Sequence, residues 1–387
     1  MASIFISAGE MSGDLHGAAL VKALKAADPT LSFWGMGHAQ MRDAGVEIVA
    51  DIATSSTIGI IEPIRYLPKI FKTYFKMKRM MAERKPDLLV VIDYQGYHML
   101  LARAAKKMGI PVVYYIAPQE WQWGSEKGGR KVIEVTDKIL SIFPQEEAFY
   151  QRLGGDAVYV GHPILDLARP TVSDQDFYAQ TGLSPNKPIL SIFPGSRSQE
   201  LELTFPVLLG AAANIVKQVD VQLVISAASD ALRPRIQVAI DQQGLHDEAM
   251  LYKGVSVDLI SRTHLSLATS GTVTLEHAVL QTPCIANYKF GPVSYFIGNL
   301  LIGKKFREMG FFALPNLIMR RLVMPEIFQD KCTVDAVTQA ALKVLKDPAE
   351  YDRLKADLRS VREALGTPGV LGRAANEIVE MLEVKSK

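Results

Sequence analysis

The chain has 387 residues, 48% of them apolar, with 43 lysines and arginines against 41 aspartates and glutamates. That length accommodates two domains with substantial cores, and the near-balance of charge gives no global field for nucleic acid. Two cysteines, Cys284 and Cys332, without metal-type spacing, argue against a disulfide scaffold and for a reducing compartment. The opening MASIFISAGEMSGD has no basic leader and only a short apolar run, so no signal peptide is expected. No stretch reaches the roughly 18 apolar residues that span a bilayer. The expectation is a cytoplasmic protein, soluble or peripheral.

In chain order, apolar runs that read as strands are Ser3–Ala8, Ser32–Met36, Leu88–Ile92, Val112–Ile116, Lys138–Ile142 and Ala157–Val160. After a polar, Pro-marked stretch over 166–187 the series resumes with Ile189–Phe193, Gln222–Ser226, Met250–Tyr252, Leu265–Ala268 and Cys284–Tyr288. Runs this apolar, separated by helix-length segments, predict parallel sheets covered on both faces. The expected fold is α/β, with two doubly wound Rossmann-like domains facing an interdomain cleft. The expected boundaries are 1–165, 166–347 and a helical segment 348–387 that crosses back to the first domain.

Ligands of such sheets bind beyond the carboxyl ends of the strands. In the first half those positions hold Glu10, Ser12 and Asp14 after the first strand, then Asp93, then Glu120, Trp121 and Trp123, and lastly His162. Asp93 ends a wholly apolar strand and reads either as a general base or as a helix N-cap. Glu10 and Asp14 flank Ser12-Gly13 at a helix start, where carboxylates also serve as dipole partners. His16 reads as a packed or surface side chain; His162 is open between hinge structure and substrate contact. In the second half, Phe193-Pro194-Gly195-Ser196-Arg197 follows a strand. A tight Gly turn lets N–H groups approach an anion, and the Arg fork clamps it. A second turn, Ser270-Gly271-Thr272, opens a helix bearing Glu276 one turn on, placed either for ribose hydroxyls or as a helix-start acid. Two such sites suggest a diphosphate.

A basic amphipathic segment places Lys69, Lys72, Lys76 and Arg79 on one face, with Leu67, Ile70, Phe71, Tyr74 and Met77 broadly opposite. A second region, 295–324, mixes bulky apolar residues with Lys304, Lys305, Arg307, Arg320 and Arg321. Both suit an anionic lipid surface, and the first also suits a solvated face of a core helix.

Taken together these motifs resemble the lipid A disaccharide synthase family, inverting glycosyltransferases of the two-domain B fold. The ordered set is SAGEMSGD (7–14), TIGIIE (57–62), PDLLVVID (86–93), APQEWQW (117–123), FPQEEAFY (143–150), VGHP (160–163), FPGSR (193–197), TSGTVTLE (269–276) and LPN (314–316). The resemblance implies transfer of diacylglucosamine from a UDP donor to the 6-hydroxyl of diacylglucosamine 1-phosphate at the cytoplasmic face of the inner membrane. It implies no metal and no cofactor, the UDP-sugar being a substrate, and leaves assembly into oligomers open. It makes Asp93 the base, with Glu10 catalytic beside it, and places Ser12, Asp14 and His162 on the acceptor side. Arg197, Ser270, Gly271, Thr272, Glu276 and Asn316 fall to UDP. The chain departs from the family pattern at Tyr94-Gln95-Gly96-Tyr97-His98, where Pro-Asp-Phe-Asn commonly follows a short residue. It departs again at Gly124, where a basic residue is usual. Both departures are on the acceptor side. Two alternatives stand: a non-hydrolysing UDP-sugar epimerase, and a paralogue that binds UDP-sugar or lipid without turnover. The lack of a GxGxxG after the first strand argues against a nicotinamide dehydrogenase.

Overall fold

A computed structural model describes residues 2–51, 62–122, 124–292, 294–296, 300, 303 and 310–386, with backbone alone for 62–67 and 384–386. The chain divides into two compact units, Met1–Asp166 with Thr367–Lys387, and Leu167–Gly366.

The first unit is built on seven strands: β1 (Ser3–Ala8), β2 (Ser32–Met36), β3 (Glu47–Ala50), β4 (Leu88–Ile92), β5 (Val112–Tyr115), β6 (Lys138–Ser141) and β7 (Ala157–Tyr159). All pair in parallel, in the order β3-β2-β1-β4-β5-β6-β7. Central β4 is Leu-Leu-Val-Val-Ile with every residue buried, as a strand covered on both faces requires. Phe5 and Trp34 stack at 4.5 Å within the core formed with Met36, Met77, Leu89, Val91, Leu101 and Val112.

The second unit has six strands: β8 (Ile189–Phe193), β9 (Gln222–Ser226), β10 (Ala249–Tyr252), β11 (Leu265–Thr269), β12 (Cys284–Tyr288) and β13 (Glu326–Phe328). They too are parallel, in the order β10-β9-β8-β11-β12-β13. Their core draws on Leu190, Ile192, Leu208, Ile215, Leu223, Ile225, Leu267, Ile285 and Val337.

In each sheet the strand order reverses once, between β1 and β4 and between β8 and β11. Crossover helices leave for opposite faces at such a point, so the loops part and open a crevice at the carboxyl ends. SAGEMSGD and PDLLVVID fall at the first of these places and FPGSR and TSGTVTLE at the second, whereas APQEWQW, FPQEEAFY and VGHP follow β5, β6 and β7.

β3 and β13 are absent from the expected strands. Each is a short edge strand, without a fully buried residue, and so lacks the continuous apolar run that marks a central strand. The expected helical segment at the C-terminus is two helices, Pro348–Ala364 in the second unit and Val370–Ser386 in the first. Gly366 and Gly369 interrupt them at φ 98° and 88°. The last helix packs on Met11–Ala27. Asp166 accepts from the N–H groups of Gly369 and Leu371 at 2.7 and 2.9 Å, and Lys138 pairs with Glu377 at 2.7 Å.

Candidate active site

In the first unit the loops after β1 and β4 meet because Ala8 and Ile92 are register partners. Glu10, half-buried, sits at the N-cap of the helix Met11–Ala27 in extended conformation. Ser12 is half-buried in the first turn. Gly9 lies under the Tyr94 ring: a Cβ there would come within 2.2 Å of it. The Tyr94 hydroxyl is pushed above its ordinary pKa by burial and by the Glu10 charge.

Asp93 follows β4 with φ 52°, and Tyr94 with φ 49°. Asp93 is open to solvent, yet dense protein around it removes hydration and pushes its carboxyl above the ordinary aspartate value, against a lowering hydrogen bond from the Tyr94 backbone. Its main-chain carbonyl accepts from His98 Nδ1 at 2.7 Å and Tyr114 Oη at 2.9 Å. His98 Nε2 lies 2.9 Å from Ser7 Oγ.

The two departures from the family pattern converge on one side chain. Gln95 Nε2 donates to Glu120 Oε1 at 2.8 Å, and a Cβ on Gly124 would stand 1.7 Å from Glu120 Oε2. The Glu120 carboxylate therefore occupies the space beside Gly124 and is held there by Gln95. Trp123 and, apart from Glu62, the TIGIIE motif lie outside the described residues.

Two residues expected on the acceptor side are committed to the fold. Asp14 is fully buried; its carboxylate accepts from the N–H groups of His38 (2.7 Å), Gln40 (3.0 Å) and Met41 (3.3 Å), capping the helix Ala39–Asp43. His162 is buried against Phe143, its Nδ1 accepting from Ile164 N at 3.2 Å, and burial pulls its pKa to about 3. His162 is thus a neutral packing residue that shapes the Gly161-His162-Pro163 turn. His16 is buried likewise, pulled to about 4. Glu146, in FPQEEAFY, is buried and pushed up to about 8; its Oε2 accepts from Ile142 N at 2.8 Å.

In the second unit the FPGSR and TSGT loops are neighbours, since Phe193 pairs with Ala268 and Thr269 Oγ1 donates to Pro194 O at 2.9 Å. The Pro-Gly turn differs from expectation in its occupancy. Glu200, buried, accepts from Ser196 N at 2.8 Å and Arg197 N at 3.1 Å, and pairs with Arg197 Nη1 at 3.1 Å. The amides expected to hold phosphate are taken by the chain's own carboxylate. Gly195 makes this contact possible, at φ 105° with Glu200 pressed against its Cα. Glu200 thereby orients the guanidinium, whose side chain remains one-third exposed. Tyr288, at the end of β12, joins them; burial and the Glu200 charge push its hydroxyl to about 12.

The second expected turn opens the helix Thr272–Leu280. Ser270 is half-buried, Gly271 and Thr272 are exposed, and a Cβ on Gly271 would meet no atom. Its first N–H groups have no helical carbonyl to bond and carry the positive end of the helix dipole. The helix is anchored by His277, whose Nδ1 bonds Val273 O and whose Nε2 meets Ser266 Oγ, both at 2.7 Å. Glu276, one turn in, accepts from Ser256 Oγ at 3.1 Å, and burial raises its carboxyl.

Asn316 does not line an open surface. It is fully buried, Nδ2 donating to Met324 O and Glu326 Oε2 at 2.8 Å each, and Oδ1 accepting from Val323 N and Met324 N at 2.8 and 2.9 Å. A carboxamide with four such bonds has none left for UDP. Sequence reasoning passed over His98, Tyr114, Tyr288 and the role of Glu200; the strand-end rule alone reaches Tyr288.

A model of the lipid-A-disaccharide synthetase family matches residues 4–370. The lipid-A-disaccharide synthase of Geobacter sulfurreducens is 36% identical over 381 residues, covering 98% of this chain and 97% of its own. That of Solibacter usitatus is 35% identical over 387 residues, covering 99% and 98%. Among solved structures, the S. aureus MnaA–UDP complex aligns with a TM-score of 0.68 at 15% identity, over 100% of this chain and 98% of that one. Anabaena Alr3699/HepE in complex with UDP-glucose aligns with a TM-score of 0.55 at 12% identity, over 98% and 100%. Likenesses this distant in sequence carry the fold alone: two doubly wound α/β domains of the glycosyltransferase B type.

Asn316→Ala should lower the free energy of unfolding by about 1–3 kcal/mol, because buried groups lose their partners, and leave UDP affinity of the folded protein unchanged. Denaturant titration and calorimetry check this. Weakened UDP binding at unchanged stability would return Asn316 to the ligand.

Proposed function

This chain belongs to the lipid-A-disaccharide synthase family, and from that premise we propose that it transfers 2,3-diacylglucosamine from its UDP conjugate to the 6-hydroxyl of 2,3-diacylglucosamine 1-phosphate. The supporting observation is chemical division between the switch points: a base-competent carboxylate at one, a cation and an open helix start at the other.

Asp93 takes the proton of the acceptor 6-hydroxyl as its oxygen bonds to the anomeric carbon. The bond from that carbon to the diphosphate oxygen breaks on the opposite face, giving a β-1,6 linkage with inversion. Negative charge then grows on UDP. Arg197, held in place by Glu200, and the N–H groups of Gly271 and Thr272 stabilise it with fixed charge and dipoles, and Ser270 borders the same turn. The reaction needs no metal in this scheme because these groups take the leaving-group charge. Glu276 receives the ribose hydroxyls. Glu10 and Ser12 border Asp93 in the acceptor loop, and the Asp14 carboxylate ties the same helix to the helix Ala39–Asp43.

A second acceptor reading, a lipid-linked glucosamine of different acyl pattern, is favoured by the Gln95–Glu120–Gly124 arrangement, which alters the acceptor side alone. The epimerase alternative draws on fold likeness only, and a non-catalytic paralogue is disfavoured by the presence of Glu10, Asp93 and Arg197.

A substrate with acyl chains is drawn from a bilayer. No described helix is long and apolar enough to cross one, so surface attachment is proposed. The helix Glu62–Arg84 supports it, with one adjustment to the expected faces: Met77 is buried and Ile70 and Tyr74 pack on the core, but Phe71 and Phe75 are exposed, 48% and 62%. They stand among exposed Lys69, Lys72 and Lys78, whereas Lys76 bonds Val49 O at 2.6 Å and Arg79 pairs with Glu83 at 2.7 Å. In the 295–324 region Phe296 and Leu300 are exposed, 71% and 76%; Lys304, Lys305 and Arg307 lie outside the described residues. The anionic face of the inner membrane is the proposed partner.

Arg197→Ala should weaken UDP binding by about 1.5–3 kcal/mol, the scale of a charge-assisted hydrogen bond, and Arg197→Lys should recover part of it. Calorimetry with unchanged affinity in the Ala variant would contradict the assignment. Sedimentation with anionic vesicles should show binding that falls with salt, since each basic side chain contributes about 1 kcal/mol and screening acts within roughly 8–10 Å. Lys72→Glu with Lys78→Glu should weaken it further, and Phe71→Ser with Phe75→Ser should remove a salt-resistant remainder. Equal binding to anionic and neutral vesicles at low salt would contradict the electrostatic part.

A further inference from the structure

Asp93 and Tyr94 are consecutive non-glycine residues in the left-handed region, φ 52° and 49°. That conformation is unfavourable for a residue with a side chain and persists only where surroundings impose it. A relaxed peptide would turn the Asp93 side chain to another direction, so the group that holds the backbone also aims the carboxylate. The restraint is visible. Both lone pairs of the Asp93 carbonyl are occupied, by His98 Nδ1 at 2.7 Å and Tyr114 Oη at 2.9 Å, while Asp93 N donates to Tyr115 O at 3.2 Å. The carboxylate accepts from the Tyr94 backbone N–H, and its other lone pairs are left for substrate.

His98 is fully buried in the first turn of the helix Gln95–Lys107. A carbonyl can only accept, so Nδ1 carries the ring proton and Nε2 accepts from the Ser7 hydroxyl at 2.9 Å. Burial holds the ring neutral, with its pKa pulled to about 4, and Ser7 holds the tautomer. Ser7 lies on β1, Asp93 follows β4 and Tyr114 lies on β5, so three adjacent strands fix one peptide at the switch point.

We propose that His98 and Tyr114 are positioning residues that aim the Asp93 carboxylate through its main-chain carbonyl. This rests on the reading of Asp93 as the base. Tyr114→Phe removes one hydroxyl and little packing; His98→Leu removes both ring hydrogen bonds; His98→Asn keeps an N–H donor. Turnover of UDP-diacylglucosamine with the lipid acceptor, UDP calorimetry and thermal melting are measured on the full chain.

His98→Leu should lower kcat by about tenfold to a hundredfold, the scale of a misplaced catalytic group, with donor KM and UDP affinity unchanged. His98→Asn should recover most of that loss, and Tyr114→Phe should lower kcat severalfold. Adding His98→Leu to Asp93→Asn should cost nothing further. The proposal is overturned by equal losses in His98→Leu and His98→Asn, by a His98→Leu loss that adds fully to Asp93→Asn, or by wild-type kcat in Tyr114→Phe, which also decides the matter should His98→Leu not fold. Asp93→Asn alone separates the two readings. It should lose about 100-fold or more as a missing general base. Wild-type turnover in that variant removes the base reading, whereas an inactive Asp93→Asn beside unaffected His98 and Tyr114 variants removes only the positioning role.

Discussion

A parallel sheet returns each strand by a crossover of one hand, so strands added to the two sides of a starting strand send their helices to opposite faces. At that reversal the loops separate and the carboxyl ends stay uncovered. Both sheets have one such place, β1/β4 and β8/β11, and the chemistry-bearing residues depend on it. Beyond another strand end of the first sheet a carboxyl group is drawn into packing instead. Glu146 after β6, buried and bonded to Ile142 N, shows the difference.

The two crevices are tuned to opposite demands. The first unit presents a carboxylate with raised proton affinity, fixed by neutral donors that add no charge. The second unit presents the Arg197 guanidinium, steadied by Glu200, beside an uncovered helix start at Gly271. Placing Glu200 on the Ser196 and Arg197 amides lowers the net charge there. It also divides the labour: the turn orients the guanidinium, while the neighbouring helix offers free amides.

The central strands, their parallel pairing and the two motif loops were legible because burial on both faces writes a continuous apolar run, and because ligands gather at strand ends. β3 and β13 were not, since edge strands need no such run. Among site residues, Asp93, Gly271 and Thr272 are exposed, and Arg197 is one-third exposed beside Glu200. Asp14, His162 and Asn316 are buried: each is a polar residue in a motif that bonds inside the fold, and residue type does not distinguish a buried acceptor from an exposed one. The His98–Tyr114 grip on a carbonyl is invisible in sequence because it joins three strands through a main-chain atom. The basic stripe was legible as a face, but not the exposure of Phe71 and Phe75, which depends on where the helix rests on the core.

The central claim is that this chain joins two lipid-linked sugars. Mass spectrometry of products after incubation with UDP-diacylglucosamine and a panel of lipid acceptors tests it most directly. The account predicts a disaccharide 1-phosphate and UDP in equal amounts, formed only with an acceptor present. An epimerised UDP-sugar, or UDP released without any acceptor, would contradict it.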